Sequence, residues 1–336
     1  MFVHYKLKRL AVIITVFCVV TMIYRYVYNN IININGNRLH SSRLFLGGDA
    51  NISSSSAITT DKKIRKWIWY SNFNFTSKAL PDVSADSAFD AMSIKPIHFD
   101  ERFKNPCWKG QDNFELLNEE NVYCLPYFYL IGVKKSGTTD LFNKISRHPD
   151  FCKPSFSKEC QWISSMRFNA PNYVPKMKKI EKDIKRKGID VKNIEFYVSM
   201  FDSAASCITR NKSSTVFNKV TADSSVATLY SHTSWEQLKV NMNLDEPRYT
   251  NFHLIKQLTP QAKLIIIFRD PTKRLYSDFL HNTRGRYKNM SPEIFHKQVQ
   301  VVIAAYQNCF KSFTQRSCIY NNTMRQDLLA VSFTYS

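Results

Sequence analysis

The segment that most limits how this chain can fold is YFYLIGVKKSGTTDLFNKISR, Tyr127 to Arg147, an apolar run that ends in glycine and passes into a helix-forming stretch. Tyr127 to Val133 has the length and uninterrupted hydrophobicity of a strand buried on both faces, the pattern of parallel sheets. Thr138 to Arg147 reads as a helix stopped before Pro149. A second run, AKLIIIF at Ala262 to Phe268, is the clearest further parallel strand. The helix expected after Pro271 places Leu275, Phe279 and Leu280 on its buried face. Strand, glycine loop and helix imply an α/β fold, a P-loop-like parallel sheet flanked by helices.

The loop between strand and helix, GVKKSGTTD from Gly132 to Asp140, offers backbone N–H groups and the positive end of a helix dipole to an anion. Gly132 and Gly137 have the spacing of a nucleotide P-loop, but that motif needs Lys after the second glycine and this chain has Thr138. Its lysines, Lys134 and Lys135, lie inside the loop. A kinase or nucleotide hydrolase with a dedicated Mg²⁺ site is therefore disfavoured, and no metal is expected. A sulfuryl group carries less charge than a phosphoryl group, so a lysine and N–H donors suffice for it. The plainer reading is an N-capped helix after an ordinary glycine turn.

The formal net charge of +20 attracts polyanions without choosing among nucleic acid, acidic lipid and acidic polysaccharide. The N-terminus narrows that choice. Lys6, Lys8 and Arg9 precede the apolar stretch Leu10 to Tyr28, which spans a bilayer if Arg25 snorkels to the interface. Basic residues before it favour a cytoplasmic N-terminus. A cleaved signal peptide is the alternative, though no small-x-small site follows. Asn51, Asn74, Asn211, Asn289 and Asn321 begin glycosylation sequons, which suit a lumenal body and argue against a nucleic-acid partner. Between Asn29 and Ala91 the Asn- and Ser-rich composition reads as a flexible stem, apart from WIWY at Trp67 to Tyr70. Cys18 lies in the apolar stretch, leaving seven cysteines for an oxidising compartment. Cys309 with Cys318 and Cys107 with Cys124 are the expected pairs. One thiol is then free, pairs between chains, or lacks its partner. Residues 176–192 form a basic helical stretch, read either as a solvated face or as a polysaccharide contact.

The loop resembles the 5′-phosphosulfate loop of sulfotransferases that use 3′-phosphoadenosine 5′-phosphosulfate (PAPS). LIIIFRDPTKRLYSDF, Leu264 to Phe279, resembles their 3′-phosphate motif, in which Arg269 and Ser277 close on one phosphate. The alternative for Arg269 is a local pair with Asp270. Within that superfamily NPCW near Cys107, KKSGTTDLF, RDPTKRLYSDF and the Cys309 to Thr323 stretch are similar to the carbohydrate sulfotransferase 15 family, N-acetylgalactosamine 4-sulfate 6-O-sulfotransferases. The resemblance runs from about Pro106 to Asn322. It implies PAPS as co-substrate and a chondroitin or dermatan sulfate acceptor, on a single-pass type II Golgi membrane protein. Its implied layout is a tail at 1–9, an anchor at 10–28, a lumenal stem at 29–102 and the catalytic domain at 103–336.

By the same resemblance, Lys135 stabilises the leaving phosphate, while Ser136, Gly137, Thr138 and Thr139 hold the phosphosulfate. Lys134 is a supporting charge or faces solvent. Glu159, in SKECQW, matches the general base; otherwise it is a surface partner for Lys158. Cys160 and Gln161 depart from the Pro and His of the family pattern. Asp223 and Ser224, in KVTADSSVATLY, match the segment lining the acceptor cleft, where they would bond sugar hydroxyls, against a plain strand-to-turn reading. Arg274 is expected to attract acceptor sulfates. From about Met324 the sequence departs from the family's continuation, and a core strand and a nucleotide-covering loop are expected beyond it. An inactive glycan-binding lumenal protein is thus the alternative to an enzyme. Oligomeric state is not legible.

Overall fold

The computed structural model describes residues 94–331 except 113, 157, 169–176, 212 and 283–290. The anchor, the stem to residue 93, and the sequons at Asn51, Asn74 and Asn289 fall outside the described residues. Among the described residues no helix is long and apolar enough to cross a membrane.

Two antiparallel strands open the fold, β1 (Cys107–Lys109) and β2 (Val122–Cys124), with Cys107 opposite Cys124 and disulfide-bonded to it. β3 (Phe128–Gly132) is the central strand of a parallel sheet, flanked by β4 (Ala222–Asp223) and β5 (Lys263–Ile266). All five residues of β3 are buried. Their alternation divides the core. Tyr129 and Ile131 enter a large cluster with Trp162, Tyr197, Phe201 and Leu254, whereas Phe128 and Leu130 meet Phe142, Phe151 and Ile267 on the other face. The small parallel sheet flanked by helices is the α/β architecture expected from the sequence. β5 is less enclosed than its apolar run implies: its residues are half-buried or exposed, and it lies at the sheet edge among the described strands.

Helix α1 (Thr138–Ile145) follows β3 through the glycine loop. The basic helix α2 (Met177–Lys185) comes next. Lys185 pairs with Glu181, and Arg186 and Lys187 just beyond the helix pair with Asp183 and Asp202. Then come α3 (Ile194–Ser199), α4 (Asp202–Ile208), the single-turn α5 (Ala227–Tyr230) and α6 (Asn251–Leu258). α7 (Pro271–Asn282) buries Phe279 fully, but Leu280, expected on the same face, is 42% exposed. Successive positions 279 and 280 point about 100° apart on a helix, and only the first meets the core.

α8 (Pro292–Cys309), α9 (Gln315–Tyr320) and α10 (Asn322–Val331) build a satellite cluster around Tyr306, Cys318 and Leu328. The Cys309–Cys318 disulfide closes it, as expected. A third disulfide, Cys152–Cys207, was not anticipated from spacing. It closes a 55-residue separation, worth about 4 kcal/mol on the loop-entropy account. Cys160 is buried and outside any disulfide. Ordered packing is already present at Ile97, which lies in the main core ahead of Phe103.

Candidate functional site

The Gly132–Asp140 loop hangs from the carboxyl end of β3, where parallel sheets carry their ligands. The Val133 N–H donates to the Ile267 carbonyl at 3.0 Å and the Ile267 N–H to the Gly132 carbonyl at 2.9 Å, so β3 and β5 stay paired to the loop's base. Gly132 admits no larger residue without movement, because a Cβ there would lie 2.6 Å from Leu229 Cδ2 on α5. The Ser136 N–H donates to the Val133 carbonyl at 3.2 Å and closes a tight turn. That turn holds Lys135 at φ 65° and Gly137 at φ 93°, a region natural for glycine and uncommon for lysine. Gly137 is the N-cap of α1 and supplies no side-chain cap, so the first N–H groups of the helix stay available.

The side chains fit an oxyanion. The Ser136 hydroxyl is buried without a hydrogen-bond partner, a state that an incoming acceptor atom would relieve. Thr138 is buried beside it and Thr139 is exposed. The Lys135 ammonium makes no ion pair among the described residues. Lys134, by contrast, turns onto α7, 3.1 Å from the fully buried Asp278 and 3.3 Å from Asn282 Oδ1. Of the two settings expected for it, it does not take the solvent-facing one. Arg274 approaches the same carboxylate at 3.9 Å.

The two separated motifs meet directly. Arg269 donates from Nη1 to the Lys135 carbonyl at 3.0 Å, reaching the loop rather than its neighbour Asp270. Asp270 instead accepts from the Lys273 N–H at 2.8 Å and opens α7. Ser277 is half-buried on that helix. Arg269 is exposed, so its guanidinium keeps donors for a ligand.

Glu159 is held by the segment that follows β4, the neighbour of β3 across from β5. Its N–H donates to the Ser224 carbonyl at 3.1 Å, and its Oε2 accepts from the Val226 N–H at 3.0 Å. Its Oε1 pairs with Lys158. The Lys158 contact read as the alternative is therefore real, but neither side chain is on the open surface: they are 16% and 20% exposed. The segment 222–230 links both halves. β4 pairs with β3, Ser224 and Val226 hold Glu159, and Leu229 packs on Gly132.

Asp223 is placed differently from its expected role. It is fully buried, and its oxygens accept from Tyr197 Oη at 2.8 Å, Ser225 Oγ at 2.5 Å and Cys160 Sγ at 3.3 Å. Burial pushes its carboxyl up, against the pull of those donors, first Ser225 and then Tyr197. A carboxylate enclosed this way meets no sugar in this conformation; it ties β4 to Tyr197, Ser225 and Cys160. Burial also raises the Cys160 thiol well above its ordinary value, with Asp223 adding to it. Ser224 is equally enclosed, with an unpartnered hydroxyl. Tyr197 had no sequence signal, because only the fold brings it to Asp223.

A sequence profile described as the Sulfotransferase family matches residues 126–325, more than half of the chain and all of the site just described. The chain belongs to the sulfotransferase family. Human "Carbohydrate sulfotransferase 15" is 28% identical over 296 aligned positions, covering 74% of this chain and 50% of the relative. A Caenorhabditis elegans "Bifunctional heparan sulfate N-deacetylase/N-sulfotransferase 1" is 27% identical, covering 57% of this chain and 18% of its own length. A solved sulfotransferase from Alicyclobacillus acidocaldarius aligns with a TM-score of 0.32 and 19% identity, covering 62% of this chain and 69% of that one. The chain thus spans about half the length of the carbohydrate sulfotransferases it matches. Sulfotransferase membership implies use of PAPS. The residues present suit that group: a basic loop with an orphaned buried hydroxyl, an uncapped helix start and an arginine over the loop. Among the described residues no group of three or more His, Cys, Asp or Glu side chains is placed to hold a metal.

Proposed function

We propose that this chain transfers a sulfuryl group from PAPS to a hydroxyl of a sulfated glycosaminoglycan. The acceptor position is O6 of N-acetylgalactosamine 4-sulfate in chondroitin or dermatan sulfate. The observation that carries the reading is the Arg269 guanidinium on the Lys135 carbonyl, which joins the two phosphate-handling motifs beside the buried Ser136 hydroxyl. The printed names of the relatives support the carbohydrate acceptor.

In this reading the backbone N–H groups of Gly137 to Thr139 and the Ser136 and Thr138 hydroxyls orient the 5′-phosphosulfate. Arg269 and Ser277 hold the 3′-phosphate. The acceptor hydroxyl oxygen forms a bond to sulfur as the sulfur–oxygen bond to the 5′-phosphate breaks, and that electron pair leaves on the phosphate. Lys135 stabilises the negative charge gathering there. The hydroxyl proton passes to Glu159, whose oxygens each keep a lone pair beyond their contacts with Lys158 and Val226. Three disulfides suit the oxidising secretory pathway, and with the N-terminal apolar stretch they support a type II Golgi membrane protein with a lumenal domain.

The test is incorporation of radiolabel from PAPS into chondroitin sulfate by the full chain. Lys135→Ala is expected to lower it by roughly 10²–10³-fold. Nucleotide binding without incorporation would favour the inactive alternative, and no binding of PAPS would sink the assignment entirely.

A further inference from the structure

Glu159 and Gln161 both take the left-handed backbone conformation, at φ 60° and φ 55°. Neither is glycine, and such residues keep that conformation only where their surroundings enforce it. Residues held so gather at functional sites, where the placement of a side chain outweighs the local strain. Cys160 between them and Trp162 after them are fully buried, whereas Glu159 and Gln161 stay partly exposed. The turn thus anchors every second side chain in the core.

Three consecutive residues after β4 enforce it. The Ser224 carbonyl accepts from the Glu159 N–H at 3.1 Å, Ser225 Oγ accepts from the Gln161 N–H at 3.0 Å, and the Val226 N–H donates to Glu159 Oε2 at 3.0 Å. Ser225 is the hub of this set. Its single hydroxyl hydrogen goes to Asp223 Oδ1 at 2.5 Å, which leaves its lone pairs for the Gln161 N–H. Cys160 Sγ lies 3.4 Å from the same hydroxyl oxygen and donates to Asp223 Oδ2 at 3.3 Å. Tyr197 donates to Asp223 Oδ2 at 2.8 Å, and its ring stacks on Trp162 with centroids 4.9 Å apart. The contacts therefore close a circuit, from the turn through Ser225, Asp223 and Tyr197 back to the turn at Trp162. Of the two contacts on the Glu159 carboxylate, Lys158 is its own chain neighbour, so only the Val226 N–H ties it to another segment.

We propose that Ser225 is a positioning residue for Glu159. Its hydroxyl, aimed by Asp223, locks the left-handed turn and keeps the Glu159 carboxylate on the Val226 N–H, with its remaining lone pairs directed by that bond. The role rests on the general-base reading given above. Ser225 is itself buried and acts through Glu159 rather than on the substrate. A proton acceptor displaced by a fraction of an ångström loses much of its effect, which gives a buried serine leverage on the rate.

The test is a double-mutant cycle in sulfuryl transfer from PAPS to chondroitin sulfate by the full chain. Glu159→Ala is expected to lower kcat on the order of 10²-fold or more. Ser225→Ala is expected to lower kcat roughly 10–100-fold with the KM for PAPS unchanged, which marks a misplaced base rather than a damaged donor site. In the Glu159→Ala background the same substitution should change kcat less than about twofold, because its route to the reaction has gone. Ser225→Thr, which keeps the hydroxyl, recovers part of the loss. Losses that multiply across the two positions overturn the positioning role and leave the base reading standing, as does an undiminished kcat in Ser225→Ala. Glu159→Ala without effect on kcat, or no transfer by the unsubstituted chain, overturns both. Where thermal melts show that Ser225→Ala fails to fold, Tyr197→Phe, which removes only the far bond of the circuit, decides by the same cycle with a smaller loss.

Discussion

Between Gly132 and Asp140 the Ser136 hydroxyl and the Lys135 ammonium have no partner among the described residues, whereas between Lys158 and Tyr230 the carboxylates of Glu159 and Asp223 are bonded within the protein. Both segments attach to β3, one through its carboxyl end and the other through β4. On the donor side Ser136 lacks a partner, Lys135 has no ion pair among the described residues, and the α1 start has no side-chain cap. On the acceptor side Asp223 has three donors and Glu159 has partners at both oxygens. In the proposed reading the first arrangement leaves donors ready for an anion, and the second fixes Glu159 in position through residues 224–226.

The comparison breaks most visibly at Asp223. Asp223→Ala strands Tyr197, Ser225 and Cys160 in the core and is expected to cost about 2–4 kcal/mol in urea unfolding. Lys135→Ala, which removes no contact of its ammonium among the described residues, should leave the unfolding midpoint nearly unchanged. Equal destabilisation by the two variants would erase the distinction. A middle-sized effect is expected at the joint between the sides. Gly132→Ala forces Leu229 to move and is expected to cost roughly 1–2 kcal/mol, with weaker nucleotide binding.

The smallest effect concerns pH on the acceptor-side flank. Burial holds His232 and His253 at about 4, below the ordinary 6.5. His253 Nδ1 accepts from the Thr250 N–H at 3.1 Å in a capping box, a bond that a proton would abolish. With both folded values lowered, the unfolded chain takes up protons first. Stability is therefore full above about pH 6.5 and is lost as pH falls toward 4. A decrease of roughly 1 kcal/mol between pH 7 and pH 6 is expected in urea titrations. A flat profile would mean that these imidazoles are accessible to water in the folded chain.

The two sides also differ in how far the sequence exposed them. The donor loop is contiguous, its glycines and lysines have meaning at fixed offsets, and its strand and helix boundaries follow from hydrophobic runs and Pro149. Arg269 was legible for the same reason, as the end of an apolar strand followed by Pro271. The acceptor side depends on contacts across 63 to 67 residues, as in Cys160 with Asp223 and Glu159 with Val226. No local pattern distinguishes an aspartate facing a sugar from one buried under a tyrosine. Asp223 was therefore expected to face outward, whereas it is buried. The same limit hid Tyr197 and the Cys152–Cys207 bond. Leu280 was misassigned because apolar character alone does not say which side of α7 meets the core.

The account's central claim is that the Gly132–Asp140 loop and Arg269 form one nucleotide site. Calorimetric binding of adenosine 3′,5′-bisphosphate to the full chain tests it most directly. One-to-one binding is predicted, weakened roughly tenfold or more by Arg269→Ala and by Ser277→Ala, each the loss of a charged-phosphate contact. Absence of binding, or affinity indifferent to both substitutions, would contradict it.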